Sequence, residues 1–177
     1  DEFWKFILAE KTLFLSKKGV VFMEGKMRDD LQVVVFYLGK EEYALPIMKV
    51  QEINKIEQLT KMPHTPDFME GIINLRGQII PVIDMKKRFK MKVSAETENS
   101  RIVVVDFKGQ IVGLMVDGVA EVVHLEHENI EAPPAVSKLD TQYVKGLGKK
   151  DGRLLVLLDI DGLFTGKEAD DLKKANG

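Results

Sequence analysis

Few residues in this chain could carry covalent chemistry. There are three His and no Cys, which excludes a disulfide framework, a thiolate metal site and a Cys nucleophile. His124 and His127 stand three apart, with Glu126 and Glu128 beside them. On a helix that spacing would put two imidazoles on one face, ready for a metal. Residues 121–125 alternate like a strand instead, which sends the two rings to opposite faces, so no metal is expected. His64 lies between Pro63 and Pro66 and reads as a surface residue. None of Ser16, Ser94, Ser100 and Ser137 sits in a Gly-x-Ser-x-Gly elbow. No Gly-x-Gly-x-x-Gly or phosphate-loop pattern occurs. Asp159-Ile160-Asp161-Gly162 is similar to part of a calcium loop but lacks the closing Glu; a strand end capping the next short helix is the expected reading. The expectation is therefore of no catalytic residue, no metal and no cofactor.

The rest of the composition bounds the class. The chain has 177 residues, room for one domain or two small lobes, with a core that needs no staples. Apolar residues make up 45% and charged residues 31%, as in ordinary globular chains. Lys plus Arg number 26 against 28 Asp plus Glu, a net charge of −2. That balance argues against nucleic-acid binding, which needs excess positive charge to displace phosphate counterions. The apolar runs fall far short of the roughly 20 residues a membrane span requires. The missing Cys fits a reducing cytoplasm.

Residues 1–30 differ from the remainder. They hold the only Trp, Trp4, and four of the nine Phe. The opening Asp1-Glu2 and the lack of a small-residue cleavage site speak against export. Phe3, Phe6, Ile7 and Phe14 could form an amphipathic stripe. The segment is expected to be an arm, or a translated leader with Met23 as the natural start, since Lys18-Gly19-Val20 can be encoded by a ribosome-binding sequence.

From residue 31 the chain reads as strands. Residues 32–38 and 41–47 flank a Gly39-Lys40 turn, and residues 72–75 and 78–85 flank Arg76-Gly77. Asp67 is expected to cap one helical turn before Gly71, and Lys86–Lys92 to be a basic tail or short helix. Residues 94–100 are polar and acidic, as in a linker. The pattern then repeats. Residues 102–107 and 110–116 form a second strand pair about Lys108-Gly109. Leu45-Pro46-Ile47 aligns with Leu114-Met115-Val116, and Val50-Gln51-Glu52-Ile53 with Val119-Ala120-Glu121-Val122. Gly71, Gly77 and Asp84 align with Gly146, Gly152 and Asp159 at one constant offset. Each half, about 31–92 and 101–160, reads as five short strands in the spacing of a small barrel. The two apolar faces are expected to pack together, with a helix at the C-terminal end over 167–174 and a tail over 166–177. The fold class is all-β, two five-stranded barrel lobes with short helices.

The block Gly71-Ile72-Ile73-Asn74-Leu75-Arg76-Gly77-Gln78-Ile79-Ile80-Pro81-Val82-Ile83-Asp84 resembles the signature of the CheW family. Lys49-Val50-Gln51-Glu52-Ile53, Val116-Asp117-Gly118-Val119 and Gly146-Leu147-Gly148 fit the same family in order, so the resemblance covers about residues 31–165. It implies two SH3-like β-barrels and a non-enzymatic, cytoplasmic scaffold of chemotaxis signalling, recruited to receptor arrays at the membrane. The implied partners are transmembrane chemoreceptors, met at their helical cytoplasmic tip, and the regulatory domain of the histidine kinase CheA. A free-standing adaptor is expected, not inserted in the membrane. A barrel binding a nucleic acid or a small ligand is the alternative.

A helical receptor tip calls for an apolar groove between the lobes. Val50 and Val122 are candidate walls. Arg76 stands in a turn where its guanidinium can grip an acid, with Glu52 as its expected partner. Gly71 and Gly77 are expected to serve backbone geometry. The loop 131–139 is a further candidate contact.

Overall fold

The computed structural model describes residues 31–133 and 142–175. The expected arm over 1–30 and most of the candidate loop 131–139 lie outside them.

The first half contributes β1 (Leu31–Leu38), β2 (Glu41–Pro46), β3 (Val50–Lys55), β4 (Met69–Leu75) and β5 (Gln78–Asp84), followed by the short helix α1 (Met85–Arg88). The second contributes β6 (Arg101–Phe107), β7 (Gln110–Val116), β8 (Gly118–Leu125), β9 (Ile130–Glu131), β10 (Val144–Lys150) and β11 (Arg153–Leu158), then α2 (Gly166–Ala175). The expected helical turn capped by Asp67 is not formed. A turn at 67–68 leads directly into β4, because Asp84 N–H already bonds the Phe68 carbonyl at 2.8 Å and holds that segment extended.

Two sheets result, in the orders β8-β1-β2-β11-β10-β9 and β3-β6-β7-β5-β4. Each combines the leading hairpin of one half with the later strands of the other, β8 to β11 in the first sheet and β3 to β5 in the second. The expectation of one lobe from each contiguous half is corrected here: 31–92 and 101–160 are divisions of the sequence, and each barrel draws on both. Parallel pairing makes the exchange. Val82 stands opposite Gly113, and at the equivalent place Leu157 stands opposite Ala44. The bulges repeat as well. Glu70 is skipped between Met69 and Gly71, and Lys145 between Val144 and Gly146. The duplication legible in the sequence is therefore a pseudo-twofold relation between sheets.

Three apolar clusters follow from strands buried on both faces. Val33, Val35, Ala44, Leu125, Leu155 and Leu157 fill one barrel. Ile80, Val82, Ile102, Val104 and Met115 fill the other. The alternate residues, among them Val34, Phe36, Leu45, Val103, Val105 and Leu114, form the largest cluster, shared between the sheets. Alternation along a strand sends successive side chains to opposite faces; here both faces are apolar, which is why 33–38 of β1 and 102–105 of β6 read as apolar runs.

The segment after the third strand closes each barrel. Thr60 bridges to Ile72 in one, and Glu131 pairs with Leu147 in the other. This close passage explains Gly71 and Gly146. A Cβ at Gly71 would lie 2.5 Å from the Thr60 carbonyl oxygen, and one at Gly146 would lie 2.8 Å from that of Glu131.

Helix α2 opens on a capping box. Glu168 N–H bonds Thr165 Oγ1 at 3.3 Å, while Thr165 N–H bonds Glu168 Oε2 at 2.7 Å. Leu172 and Ala175 anchor the helix in the shared core. Asp159 receives Asp161 N–H at 3.1 Å, so the strand-end cap read from the sequence is formed.

Candidate functional site

The β4–β5 hairpin turns on Arg76 and Gly77, with φ of 53° and 85°. Positive φ at both central residues is the type I′ pattern that matches strand twist. Gly77 N–H bonds Asn74 Oδ1 at 2.8 Å, which fixes the tip further. From it the Arg76 guanidinium reaches Glu52 of β3 and forms an ion pair. β3 and β4 are the outer strands of their sheet, so the pair ties the open side of the barrel. The Arg76 side chain is 79% exposed and that of Glu52 only 17%. Glu52 Oε1 also accepts a hydrogen bond from Asn54 Nδ2 at 2.9 Å. The acid is thus fixed and the guanidinium displayed, a charged donor held at a surface by a rigid turn.

The other candidates separate. Val50 is fully buried in the shared core. It cannot present a wall to a partner, because the bulge at Gln51 turns it to the inter-sheet face; the expectation for it is corrected to core. Val122 is only partly buried against the same cluster and keeps some surface. The repeat register relates Val50 to Val119, and Ile53 to Val122. Gly77 has open space around an added Cβ, so its role is the left-handed turn, while that of Gly71 is the close passage of Thr60. His64 is exposed with φ 57°. His124 is exposed on β8, and His127 opens a three-residue 3-10 turn. Among the described residues no three His, Asp or Glu gather as a metal would require.

The sequence reading missed a buried cation. Lys86, taken as part of a basic tail, is 6% exposed at its side chain. Its ammonium donates to Asp117 Oδ1 at 2.5 Å and to Ser94 Oγ at 2.7 Å. The second Asp117 oxygen accepts Gly39 N–H at 2.7 Å. One carboxylate thereby joins the β1–β2 turn, the connection between β7 and β8, helix α1 and the linker. Asp117 lies inside one of the quoted motif segments, the only signal the sequence offered. Arg88 is also buried. Its Nε donates to the Leu163 carbonyl at 2.9 Å, and its guanidinium carbon lies 4.6 Å from the Tyr143 ring centroid and 5.3 Å from that of Phe68. An ion pair with Glu168 Oε2 at 3.3 Å, the cation–π contacts and the carbonyl together compensate its desolvation.

Arg153 forms ion pairs with both Glu42 and Glu121, the hydrogen bond to Glu121 being the main cause that raises its pKa above the ordinary value. Lys87 is raised likewise, first through its hydrogen bond to Glu70.

What this surface can do is bind. It offers rigid turns, a displayed guanidinium and strands whose register is locked by bulges and closing bridges. Comparison with known proteins gives the family. The family described as "CheW-like domain" matches residues 32–168. The chain is 41% identical over 138 residues to a chemotaxis protein CheW of Klebsiella aerogenes, covering 77% of this chain and 83% of that protein. It is 33% identical over 145 residues to the chemotaxis protein CheW of Treponema pallidum, covering 79% and 85%. The crystal structure of the scaffolding protein TtCheW from Thermoanaerobacter tengcongensis superposes with a TM-score of 0.74 at 44% identity, covering 78% of this chain and 94% of that one.

Proposed function

The chain belongs to the CheW family, and from that premise we propose that the tip carrying Arg76, braced by Glu52, is a partner-contacting surface of its scaffold. The function itself follows from the family: the protein is a non-enzymatic scaffold coupling chemoreceptors to the histidine kinase CheA in bacterial chemotaxis. Among the described residues no helix is long and apolar enough to cross a membrane.

The finer assignment rests on one observation, the exposed guanidinium held by a nearly buried acid. A scaffold must hold its partners in fixed geometry, and a site built on strands and a tight turn is positioned better than one on a mobile loop. In this reading the cytoplasmic tip of the receptor, a helical hairpin, meets a groove between the barrels with Val122 on its wall. The regulatory domain of CheA takes a separate surface. The protein works in the cytoplasm, recruited to receptor arrays.

Calorimetric titration of the Arg76→Ala chain tests the assignment, against the CheA regulatory domain and against a receptor cytoplasmic fragment. The expected result is unchanged folding, with affinity for one partner lowered at least tenfold. Glu52→Gln, which frees the guanidinium from its brace, should give a smaller loss for the same partner. If Arg76→Ala binds both partners as the parent does, the surface lies elsewhere.

A further inference from the structure

The two halves carry nearly the same strand pattern, so strand alternation by itself does not say which leading hairpin should join which set of later strands. Two arrangements satisfy it. In one, each half closes on itself. In the other, which is observed, the hairpins are exchanged. We propose that oppositely charged seams select the exchanged arrangement.

Two junctions decide. Where the β1–β2 hairpin meets the unit of the second half, Lys49 pairs with Asp161 at 3.7 Å. Where the β6–β7 hairpin meets the unit of the first half, Asp117 pairs with Lys86 at 2.5 Å. Lys49 and Asp117 lie in the same short connection, between the second and third strands of their halves; they stand one position apart in the repeat register, which relates Asp117 to Met48, yet their side chains reach equivalent places on the two units. Lys86 and Asp161 also correspond. Each follows a strand-end aspartate, Asp84 or Asp159, whose side chain accepts its backbone N–H. The polarity is therefore reversed between the seams: base on hairpin and acid on unit at one, acid on hairpin and base on unit at the other.

Reversal has a consequence for self-closure. If the first half closed on itself, Lys49 would face Lys86. If the second did, Asp117 would face Asp161. Both junctions would set like charges together, and the buried Lys86 ammonium would lose its carboxylate, which is the severe case for an ion in a low-dielectric surrounding. A third contact acts in the same sense. Arg153 of the second unit pairs with Glu42 of the first hairpin at 2.9 Å; the residue equivalent to Glu42 is Ile111, which offers no charge. Specificity here comes from repulsion in the wrong state as much as from attraction in the right one.

Reversing one seam tests this. The double variant Lys49→Asp with Asp161→Lys keeps an opposite-charge pair at the native seam. It also makes both self-closed junctions attractive, an acid at 49 against Lys86 and Asp117 against a lysine at 161. The chain has no cysteine, so disulfide traps read the arrangement. Ala44→Cys with Leu157→Cys joins Cα partners of the exchanged form. Ala44→Cys with Val82→Cys joins the equivalent positions of the self-closed form. After refolding from denaturant at high dilution, the parent background should close the first trap and leave the second open. The double variant should close the second at least tenfold more often than the parent. Adding Lys86→Asp and Asp117→Lys restores opposite polarity at the seams and should return the second trap to the parent level. A double variant that fails to refold, together with a fourfold variant that refolds, supports the proposal equally. It is overturned if the double variant refolds like the parent with the second trap open, or if the fourfold variant does no better than the double.

Discussion

In the first half the acid of the third strand, Glu52, is held by Arg76 from a turn tip; in the second the equivalent acid, Glu121, is held by Arg153 from the first residue of β11. Arg76 has one carboxylate and is 79% exposed, whereas Arg153 has two and is 32% exposed. The same acid on the same bulged strand thus meets two kinds of arginine. One also grips Glu42 of the exchanged hairpin and is occupied with assembly. The other leaves most of its donors toward solvent. The seams differ in the same way: Lys86–Asp117 is sheltered, with side chains 6% and 24% exposed, while Lys49–Asp161 is open, at 40% and 45%. A duplicated fold can therefore keep its backbone relation while its charged contacts diverge into structural and displayed ones.

The sheltered seam offers the largest test of that contrast. Asp117→Leu leaves the Lys86 ammonium buried without its carboxylate and should cost about 3–5 kcal/mol. Lys49→Ala at the open seam should cost under about 0.5 kcal/mol. Urea denaturation midpoints at constant m-value give both, and equal losses would erase the distinction.

The glycines come next. Gly71→Ala and Gly146→Ala each drive a Cβ into a backbone oxygen, and each should lose about 1–3 kcal/mol. Gly77→Ala meets only the left-handed φ penalty of about 1 kcal/mol. If Gly71→Ala and Gly77→Ala lose the same, close strand passage is not what demands glycine at 71.

The two arginines should then separate. Arg153→Met removes charge-assisted bonds that tie hairpin to unit and should cost about 1–2 kcal/mol. Arg76→Ala should cost under about 0.5 kcal/mol of stability, because its ion pair is largely exposed. Thermal unfolding scans of both would show whether the displayed arginine is dispensable for folding while mattering for binding.

The smallest effect is one of pH. The folded-state pKa of Lys87 is raised above the ordinary 10.5, first through its hydrogen bond to Glu70. A raised lysine contributes stability that is full below about 10.5 and is lost as pH rises through the folded value. Denaturation midpoints between pH 9 and 11.5 should fall more steeply for the parent than for Glu70→Gln. Parallel curves would mean that the pair is not coupled to folding.

Much of the fold was legible because it rests on local pattern. Paired apolar runs about the Lys108-Gly109 and Arg76-Gly77 dipeptides mark hairpins, and the φ values at Lys108 and Arg76 bear them out. The Arg76–Glu52 contact was expected too, from a turn arginine that calls for an acid and an acid in the separate segment 49–53, although β3 and β4 are opposite edges of one sheet. Val50 was misread because its neighbours Gln51 and Glu52 look like surface, while the bulge at Gln51 turns Val50 and Ile53 together into the core. Lys86 was misread because a run of basic residues resembles a solvated tail; only the fold brings Asp117 and Ser94 to it.

By itself, then, the sequence determined the strands, their turns, the duplication and the family, all of which depend on residue type and short-range spacing. Which hairpin pairs with which unit, and which charges are buried, belongs to the tertiary structure alone. Hydrophobic alternation is the same in both halves and gives no preference between exchanged and self-closed pairing. That choice is made by residues far apart in the chain, such as Lys86 with Asp117 and Arg153 with Glu42, whose interaction exists only once the sheets have formed.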